Sequence, residues 1–168
     1  MDDLIFMQEA LALAKEAGAM GEVPVGCVIV RDGKIVGRGK NCRETDKNAL
    51  GHAEIEAIAD ACRNLGGWRL WECTLYVTLE PCPMCAGAIV NSRIKRVVYG
   101  AKDPKAGAFG TVLNLNDFPL NHKPEIVSGV KECECSALLS DFFKILRAKK
   151  SSDKKNQGSI ANKRDSAD

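Results

Sequence analysis

Two short segments carry the residue types that could bind a metal ion and use it for chemistry. His52-Ala53-Glu54 combines an imidazole with a carboxylate, and Pro81-Cys82-Pro83-Met84-Cys85 places two thiols three residues apart. Residues at that spacing lie on the same side of a helix, so the two sulfurs can share one metal ion. Because a helix N-terminus favours negative charge, we expect both thiols to ionise readily and to bind Zn²⁺ as thiolates, with His52 as a neutral third ligand.

The number of ligands indicates which kind of zinc site this would be. Structural sites are normally closed by four Cys or His ligands, whereas catalytic sites hold three and a water. The only other histidine is His122, and none of the remaining cysteines has a spacing that includes the three ligands. An open site is therefore favoured, in which the metal acidifies a bound water. Glu54 can reach that water only if His52 stands at the start of a helix, and it would then move protons without being a ligand.

Each segment taken alone also has a simpler interpretation. An isolated C-x-x-C is typical of a redox motif or of half a structural zinc finger, and H-x-E is common by chance. Both segments together, each placed at the start of a predicted helix, favour catalytic zinc over structural zinc.

The elements that must position these segments alternate between helices and strands. Apolar residues at helical spacing predict helices over 4–17, from His52 to Gly66, from Pro81 through Val90, and over 137–146. The second helix is expected to bury Ile55, Ile58, Ala59 and Cys62. Runs rich in β-branched residues predict strands over 23–30, 35–39, 74–79 and 96–99, with a short fifth strand at 126–127.

This order predicts an α/β fold, because strands separated by helices need crossover connections. The natural packing is a mixed sheet with helices on both faces, that is, three α/β/α layers. After Arg147 the composition becomes polar, with Ile160 the only large apolar residue. We therefore expect one domain over 1–147 and a flexible polar tail over 148–168.

Composition narrows the class of protein further. The chain has 168 residues, 45% hydrophobic and 27% charged, which fits a globular domain and excludes collagen, a coiled coil and a fully disordered chain. A net charge of +2 is too balanced to indicate nucleic-acid binding by itself. No apolar run approaches the roughly 18 residues of a membrane span. The acidic start, Met1-Asp2-Asp3, predicts no export signal, so the eight cysteines are expected to be reduced in the cytoplasm.

The two metal-binding segments resemble the signature of zinc-dependent nucleobase deaminases, H-x-E followed by P-C-x-x-C. The likeness extends over roughly residues 4–147, in which the chain resembles the bacterial tRNA-specific adenosine deaminases, of the cytidine deaminase-like superfamily. It is carried by these segments: Glu22-Val23-Pro24-Val25-Gly26, Gly51-His52-Ala53-Glu54-Ile55, Thr74-Leu75-Tyr76-Val77-Thr78-Leu79-Glu80-Pro81-Cys82, Met84-Cys85-Ala86-Gly87-Ala88, Ser92-Arg93-Ile94, Arg96-Val97-Val98-Tyr99-Gly100-Ala101 and Leu138-Leu139-Ser140-Asp141-Phe142-Phe143.

The resemblance implies a central five-stranded sheet and hydrolytic deamination of adenosine to inosine at the wobble position, 34, of a tRNA, an arginine tRNA in the first instance. It implies one zinc ion per subunit on His52, Cys82 and Cys85, zinc-activated water as the nucleophile, and Glu54 as the proton shuttle. The anticodon base would have to be splayed out of its stack to reach such a centre. The family forms homodimers, so a homodimer bound to the anticodon stem-loop, with no membrane partner, is expected.

Residues that contact the RNA are implied by weaker matches. Asn41 would contact the flipped nucleoside, or else satisfy its own loop backbone. Asp103 would hydrogen-bond a ribose or backbone group, or else serve as a turn residue before Pro104. Further candidates are phosphate-binding Lys105, Arg147, Lys149 and Lys150, base-stacking Phe142 and Phe143, of which at least one is expected in the core, and His122, which equally fits a hydrogen bond within its loop.

Two other functions remain open. A deaminase of free bases or nucleotides, acting on guanine or a pyrimidine, would share the zinc centre and differ at the mouth of the pocket; the small cytidine deaminases usually have Cys in place of His52. A non-catalytic RNA-binding module would use zinc only to hold the fold, with four ligands and no role for Glu54.

Overall fold

A computed structural model describes the backbone of residues 2–164 and the side chains of residues 2–156. The elements follow the predicted order and include the fifth strand. They are α1 (Asp3–Ala19), β1 (Gly26–Arg31), β2 (Lys34–Lys40), α2 (Ala53–Leu65), β3 (Thr74–Leu79), α3 (Pro83–Asn91), β4 (Arg96–Ala101), a 3₁₀ turn (Leu115–Asp117), β5 (Glu125–Ser128) and α4 (Glu132–Arg164).

The five strands form one mixed sheet in the order β2-β1-β3-β4-β5. β1 is antiparallel to β2 and β3, whereas β3, β4 and β5 are parallel to one another. Asp32 and Gly33 form the hairpin turn that joins β1 to β2, with φ of 50° and 72°, the left-handed values that a tight two-residue turn between strands requires. The carboxyl ends of β2, β3 and β4 therefore lie at the same edge of the sheet.

Helices cover both faces of the sheet, so the predicted three-layer α/β/α architecture is confirmed. α2 and α3 pack on one face, against alternate strand residues such as Ile29, Leu75 and Val97. α1 and the start of α4 pack on the other face, against the intervening residues such as Val28 and Tyr76. Because side chains alternate between the faces of a strand and both faces are buried, the central strands are apolar almost throughout.

Small residues set how closely α2 approaches the sheet. Its buried face is Ala53, Glu54, Ala57 and Ala61. A β-carbon at Gly39 of β2 would overlap the backbone oxygen of Ala53, so glycine is required there for close packing. The predicted buried face of Ile55, Ile58, Ala59 and Cys62 is therefore displaced: all four side chains are half-buried, and Ile58 and Cys62 pack against the edge of the core. Alanine occupies the line along which α2 comes closest to β2, because its small side chain lets the two backbones approach. The larger apolar residues of α2 lie to either side of that line.

The last helix differs most from expectation. It spans Glu132–Arg164, whereas the sequence predicts helix only over 137–146 and a flexible tail from 148. The side chains from Lys144 through Asn156 are all exposed. A helix extends there because each residue added gains an internal hydrogen bond and no proline interrupts the run, whereas the apolar pattern reports only where a helix is packed. Flexibility of this segment stays a prediction. No helix within residues 2–164 is long and apolar enough to cross a membrane.

Candidate active site

The two sequence segments meet at the edge where β2, β3 and β4 end. His52 is the N-cap residue of α2, and Cys82 is the N-cap residue of α3, with Pro83 in the first turn. Cys85 lies one turn further along α3 and is fully buried. Two helix N-termini thus point at one place, so their backbone N–H groups favour negative charge there.

His52, Cys82 and Cys85 are arranged as three ligands of one metal ion. The Nδ1 atom of His52 lies 3.7 Å from Cys82 Sγ and 3.6 Å from Cys85 Sγ. All three ligand atoms lie within 4.8 Å of one another. Two ligands of a tetrahedral zinc ion, at about 2.05 Å for nitrogen and 2.3 Å for sulfur, would be about 3.6 Å apart. Among the residues described, no fourth Cys, His or carboxylate joins this group.

The two thiols have opposite proton affinities. The Cys85 thiol donates a hydrogen bond to Cys82 Sγ, and this bond, aided by the backbone N–H of Cys85 and by His52, lowers the pKa of Cys82 to about 4. The same hydrogen bond and burial raise the pKa of Cys85 well above its ordinary value. Without a metal ion, one thiolate in this group disfavours a second beside it. A bound zinc ion deprotonates a coordinating thiol, so the expectation that both cysteines bind zinc as thiolates stays a prediction.

Glu54 lies in the first turn of α2, two residues after the N-cap residue His52. This is the placement at a helix start that Glu54 needs to reach a metal-bound water. Its side chain is 4% exposed and lines the cavity together with His52 and Cys82, without belonging to the ligand group. Burial raises the pKa of Glu54 to about 7, and the Cys82 thiolate contributes in the same direction. A carboxyl group with a pKa near neutrality can both accept and donate a proton, which is what general acid–base catalysis needs.

The cavity in front of these groups has a volume of about 210 Å³. It is smaller than the roughly 300–1,000 Å³ of sites for drug-sized ligands, so it suits a ligand about the size of one nucleoside. Asn41, 9% exposed, and Asp103 both line it, and the nucleotide contacts that the resemblance implies for them stay predictions. Asp103 is also a turn residue, since its Oδ1 accepts hydrogen bonds from the backbone N–H groups of Lys105 and Ala106 at 2.9 and 3.2 Å. The two interpretations of Asp103 are thus compatible.

A wider groove of about 580 Å³ adjoins the cavity and shares Val23, Leu79 and Asp103 with it. Its other walls come from the loop after β4 and from α4, and they carry four basic residues and one aromatic residue: Lys102, Lys105, Lys144, Arg147 and Phe143. Phe143 is 39% exposed, and its ring contacts that of Phe142 edge-on at 5.4 Å. Phe142 is half-buried, so neither ring belongs to the buried core. Lys149 and Lys150 lie further along α4 and are exposed.

His122 is not brought to this cavity. Its Nε2 atom lies 2.6 Å from the carbonyl oxygen of Ile94, just before β4, at the sheet edge opposite the active site. The ring therefore donates a hydrogen bond that ties its own loop to the sheet, which is the alternative that the sequence left open. A contact between His122 and a nucleotide in the cavity is excluded by this placement, and contact with RNA elsewhere stays a prediction.

Sequence reasoning gave no role to two buried carboxylates in the cavity wall. Glu22 and Glu80 are each 1% exposed. Glu22 Oε1 accepts hydrogen bonds from the backbone N–H and the hydroxyl of Thr45 at 2.6 and 2.8 Å, and Glu80 binds the loop after β4 in the same way. Their positions in the sequence could have revealed them, because each acid directly adjoins an apolar strand or a metal-ligand motif, where an exposed charge is not expected.

Comparison with known proteins agrees with this geometry. The model of the MafB19-like deaminase family matches residues 1–147. The tRNA-specific adenosine deaminase of Bacillus subtilis is 53% identical over 155 residues, covering 92% of this chain and 96% of the relative. The Haemophilus influenzae protein of the same name is 46% identical over 159 residues, covering 94% and 92%.

Solved structures give the same result. One from a study of A-to-I editing by tRNA:A34 deaminases superposes with a TM-score of 0.78 at 44% identity, covering 80% of this chain and 98% of that one. A guanine deaminase from Bacillus subtilis superposes with a TM-score of 0.58 at 34% identity, covering 72% and 88%.

The mixed sheet and the His/Cys/Cys group beside a buried glutamate define a protein of the deaminase class, with the cytidine deaminase-like fold. Within that class, the chain belongs to the family of tRNA-specific adenosine deaminases.

Proposed function

We propose that this protein converts adenosine to inosine by hydrolysis at the wobble position of a tRNA anticodon. The observation that carries the proposal is the meeting of His52, Cys82 and Cys85 with the buried carboxyl group of Glu54 at one end of a nucleoside-sized cavity. The names of the relatives, tRNA-specific adenosine deaminase, support the choice of substrate.

The residues present fit zinc, because two sulfurs and one imidazole nitrogen are donors that zinc prefers and their spacing suits one tetrahedral ion. Zinc bound there supplies an acidified water for attack on C6 of adenine. Glu54 would take a proton from the attacking water and deliver it to N1 of adenine, then take the second proton of that oxygen and deliver it to the departing amino group. Water adds its oxygen to C6 and ammonia leaves, so the overall reaction needs no oxidant or reductant.

Recognition of RNA follows from the small cavity and the larger groove beside it. The cavity holds one nucleoside, so the target base must leave the anticodon stack. Asn41 contacts the flipped nucleoside, and Asp103 accepts a hydrogen bond where cavity and groove meet. Lys105 and Arg147 neutralise flanking phosphates, while Phe143, with Phe142 behind it, offers a ring on which a neighbouring base stacks. A deaminase of free bases needs no basic groove, so this feature favours a tRNA over free guanine.

The proposal extends to assembly and location. Residues 1–147 form the deaminase domain, each subunit holds one zinc ion, the protein is a homodimer in the cytoplasm, and the substrate is an arginine tRNA. Exposed apolar side chains at Val112, Phe118 and Leu120, 41–54% exposed, offer surface that a second subunit can cover. Light scattering on the purified protein decides the oligomeric state.

The test compares substrates for the zinc-loaded protein. Inosine at position 34 is measured by sequencing an arginine tRNA and its anticodon stem-loop, in parallel with turnover of free adenosine, guanine and cytidine. We expect inosine in the RNA and little turnover of the free compounds. Preferential turnover of guanine would favour the alternative suggested by the guanine deaminase likeness. Binding of tRNA without inosine would favour a non-catalytic module.

A further inference from the structure

Glu80 has an unusually complete set of hydrogen bonds for a residue outside the proposed chemistry. Its side chain is 1% exposed and lies two residues before Cys82. Oε1 accepts from the backbone N–H groups of Phe109 and Thr111, both at 3.1 Å. Oε2 accepts from the backbone N–H of Asp103 at 3.1 Å and from the hydroxyl of Thr111. Four donors from one loop thus converge on one carboxylate.

These bonds join the metal-ligand segment to the loop of residues 102–113. The backbone of the same segment adds one more bond to the loop, from Ala108 N–H to the Pro81 carbonyl at 2.9 Å, and Glu80 N–H donates to the carbonyl of Ala101 at the end of β4 at 2.8 Å. The loop belongs to no strand of the sheet. It is also held by hydrogen bonds within itself, such as Gly107 N–H to the Asp103 carbonyl at 2.9 Å, and by the buried side chains of Ala108 and Phe109. Core packing therefore holds the middle of the loop, and Glu80 is the side chain that ties its Asp103 and Thr111 ends to the metal-ligand segment.

Asp103 is the residue of this loop whose position bears on substrate. It lines both the 210 Å³ cavity and the 580 Å³ groove, so a nucleotide chain passing from groove to cavity must pass it. Glu80 holds the backbone N–H of Asp103 directly, while Asp103 Oδ1 is occupied by the turn that follows. If the loop were displaced, the second carboxylate oxygen of Asp103 would move away from the nucleotide chain.

We infer that Glu80 is a positioning residue for RNA binding: its buried carboxylate holds Asp103 at the junction of cavity and groove, at a set distance from the metal ligands. This inference rests on the proposed function. Its effect falls on KM for the anticodon stem-loop rather than on kcat, because Glu80 does not reach the reacting atoms through any of its four hydrogen bonds.

A carboxylate is needed because all four partners are donors. Glutamine would turn an NH₂ group towards two of them and leave buried donors unpaired. The loop side has a matching constraint at Gly107, where a β-carbon would overlap the Glu80 carboxylate and crowd the carbonyl oxygen of Asp103. Changing either partner therefore disturbs the same contact from opposite sides.

The test measures kcat and KM for inosine formation in the stem-loop, together with direct stem-loop binding, zinc content and melting temperature, in the full-length protein. Glu80→Gln is expected to raise KM and Kd roughly tenfold, with kcat within about threefold and zinc retained. Thr111→Val and Gly107→Ala are expected to change the same two quantities in the same direction, and they carry the test if Glu80→Gln does not fold. Glu72→Gln, at an exposed glutamate paired with Lys95, is the matched control and changes neither.

A double-mutant cycle separates positioning from a general structural role. If Glu80 acts through Asp103, adding Glu80→Gln to Asp103→Asn raises KM little beyond Asp103→Asn alone. Multiplicative effects, a lower melting temperature with KM and Kd unchanged, or loss of zinc would overturn the inference. A wild-type protein that makes no inosine would refute the proposed function instead, and the stem-loop Kd values would still decide the role of Glu80.

Discussion

The two edges of the sheet use the same kinds of side chain in opposite ways. At the amino end of β4, polar groups bind one another: Arg96 forms two hydrogen bonds with Asp3 at 2.8 and 2.9 Å, Tyr76 donates a third to Asp3 at 2.8 Å, and His122 binds a backbone carbonyl. At the other edge, His52, Cys82 and Glu54 face a cavity, and Glu22 Oε2 is buried with no hydrogen-bond partner among the residues described.

This difference indicates where function and stability lie. Groups that satisfy one another stabilise the fold and are unavailable to a ligand, whereas polar groups held around a cavity are costly until a metal ion or substrate binds them. In α/β folds, ligands bind beyond the carboxyl ends of the strands. Substitutions at the active-site edge should therefore reduce activity with little loss of stability, and those at the opposite edge should do the reverse.

The largest effect is expected for the metal ligands. Cys82→Ala removes one of three ligands, so we expect zinc to be lost and inosine formation to fall below detection. Metal analysis of the purified protein and the stem-loop assay measure this. Cys133→Ala, at an exposed cysteine outside the ligand group, is the control and should keep one zinc per chain. Full zinc content in Cys82→Ala would refute the assigned ligand set.

Glu54 should separate chemistry from metal binding. Glu54→Ala is expected to keep zinc and lower kcat by about 10³-fold, since general acid–base groups contribute roughly 10²–10⁴-fold. Glu56→Ala, on the same helix but outside the cavity wall, provides the comparison and should retain activity. Single-turnover rates on the stem-loop check both variants, and brisk deamination by Glu54→Ala would rule out its role as the proton shuttle.

The groove should affect binding alone. Replacing Lys105 and Arg147 by alanine is expected to raise KM for the stem-loop about tenfold and to leave kcat unchanged, because phosphate contacts add affinity without touching the reacting base. The dependence of log Kd on log salt should also become shallower by about one to two. Lys34→Ala, at an exposed lysine next to the β1–β2 turn, should alter neither quantity. An unchanged salt dependence in the double variant would place the RNA elsewhere.

The opposite edge should show the smallest effect, on stability. Asp3→Asn weakens a largely buried ion pair, so we expect a loss of about 1–3 kcal/mol in the free energy of unfolding and an unchanged kcat per folded molecule. Thermal melting measures the loss, at about 2–4 °C per kcal/mol. Asp32→Asn, whose side chain is 86% exposed, should have no effect.

The same pair makes stability depend on pH. The hydrogen bond from Arg96 lowers the pKa of Asp3 below its ordinary value of 3.8. The stabilisation is therefore complete above pH 3.8 and is lost as the pH falls below that value towards the folded-state pKa. The difference in melting temperature between the wild type and Asp3→Asn should shrink over this range. A constant difference would mean that Asp3 is not ionised in the pair.

Much of the fold and of the metal group could be predicted because the signals are local. Strand runs, the Asp32-Gly33 turn and the helix starts at His52 and Cys82 depend on neighbouring residues. Expectations failed where burial was inferred from residue type alone. The buried face of α2 is lined by alanines, and Ile55 and Ile58 beside them are only half-buried. The periodicity of apolar residues along α2 does not show which of its faces packs against the glycine of β2.

The sequence by itself determined which groups are available for chemistry. They are an imidazole and two thiols at helix starts, with a carboxylate two residues from the imidazole, and these patterns are visible because each spans only a few consecutive residues. Only the tertiary structure decided the surroundings of that chemistry. In the folded protein Asp103 lies where cavity and groove meet, His122 lies at the sheet edge opposite the active site, and Glu80 is buried among four hydrogen-bond donors. Such contacts join residues tens of positions apart, and they depend on which strands pair and which helices cover them, information that no local pattern contains.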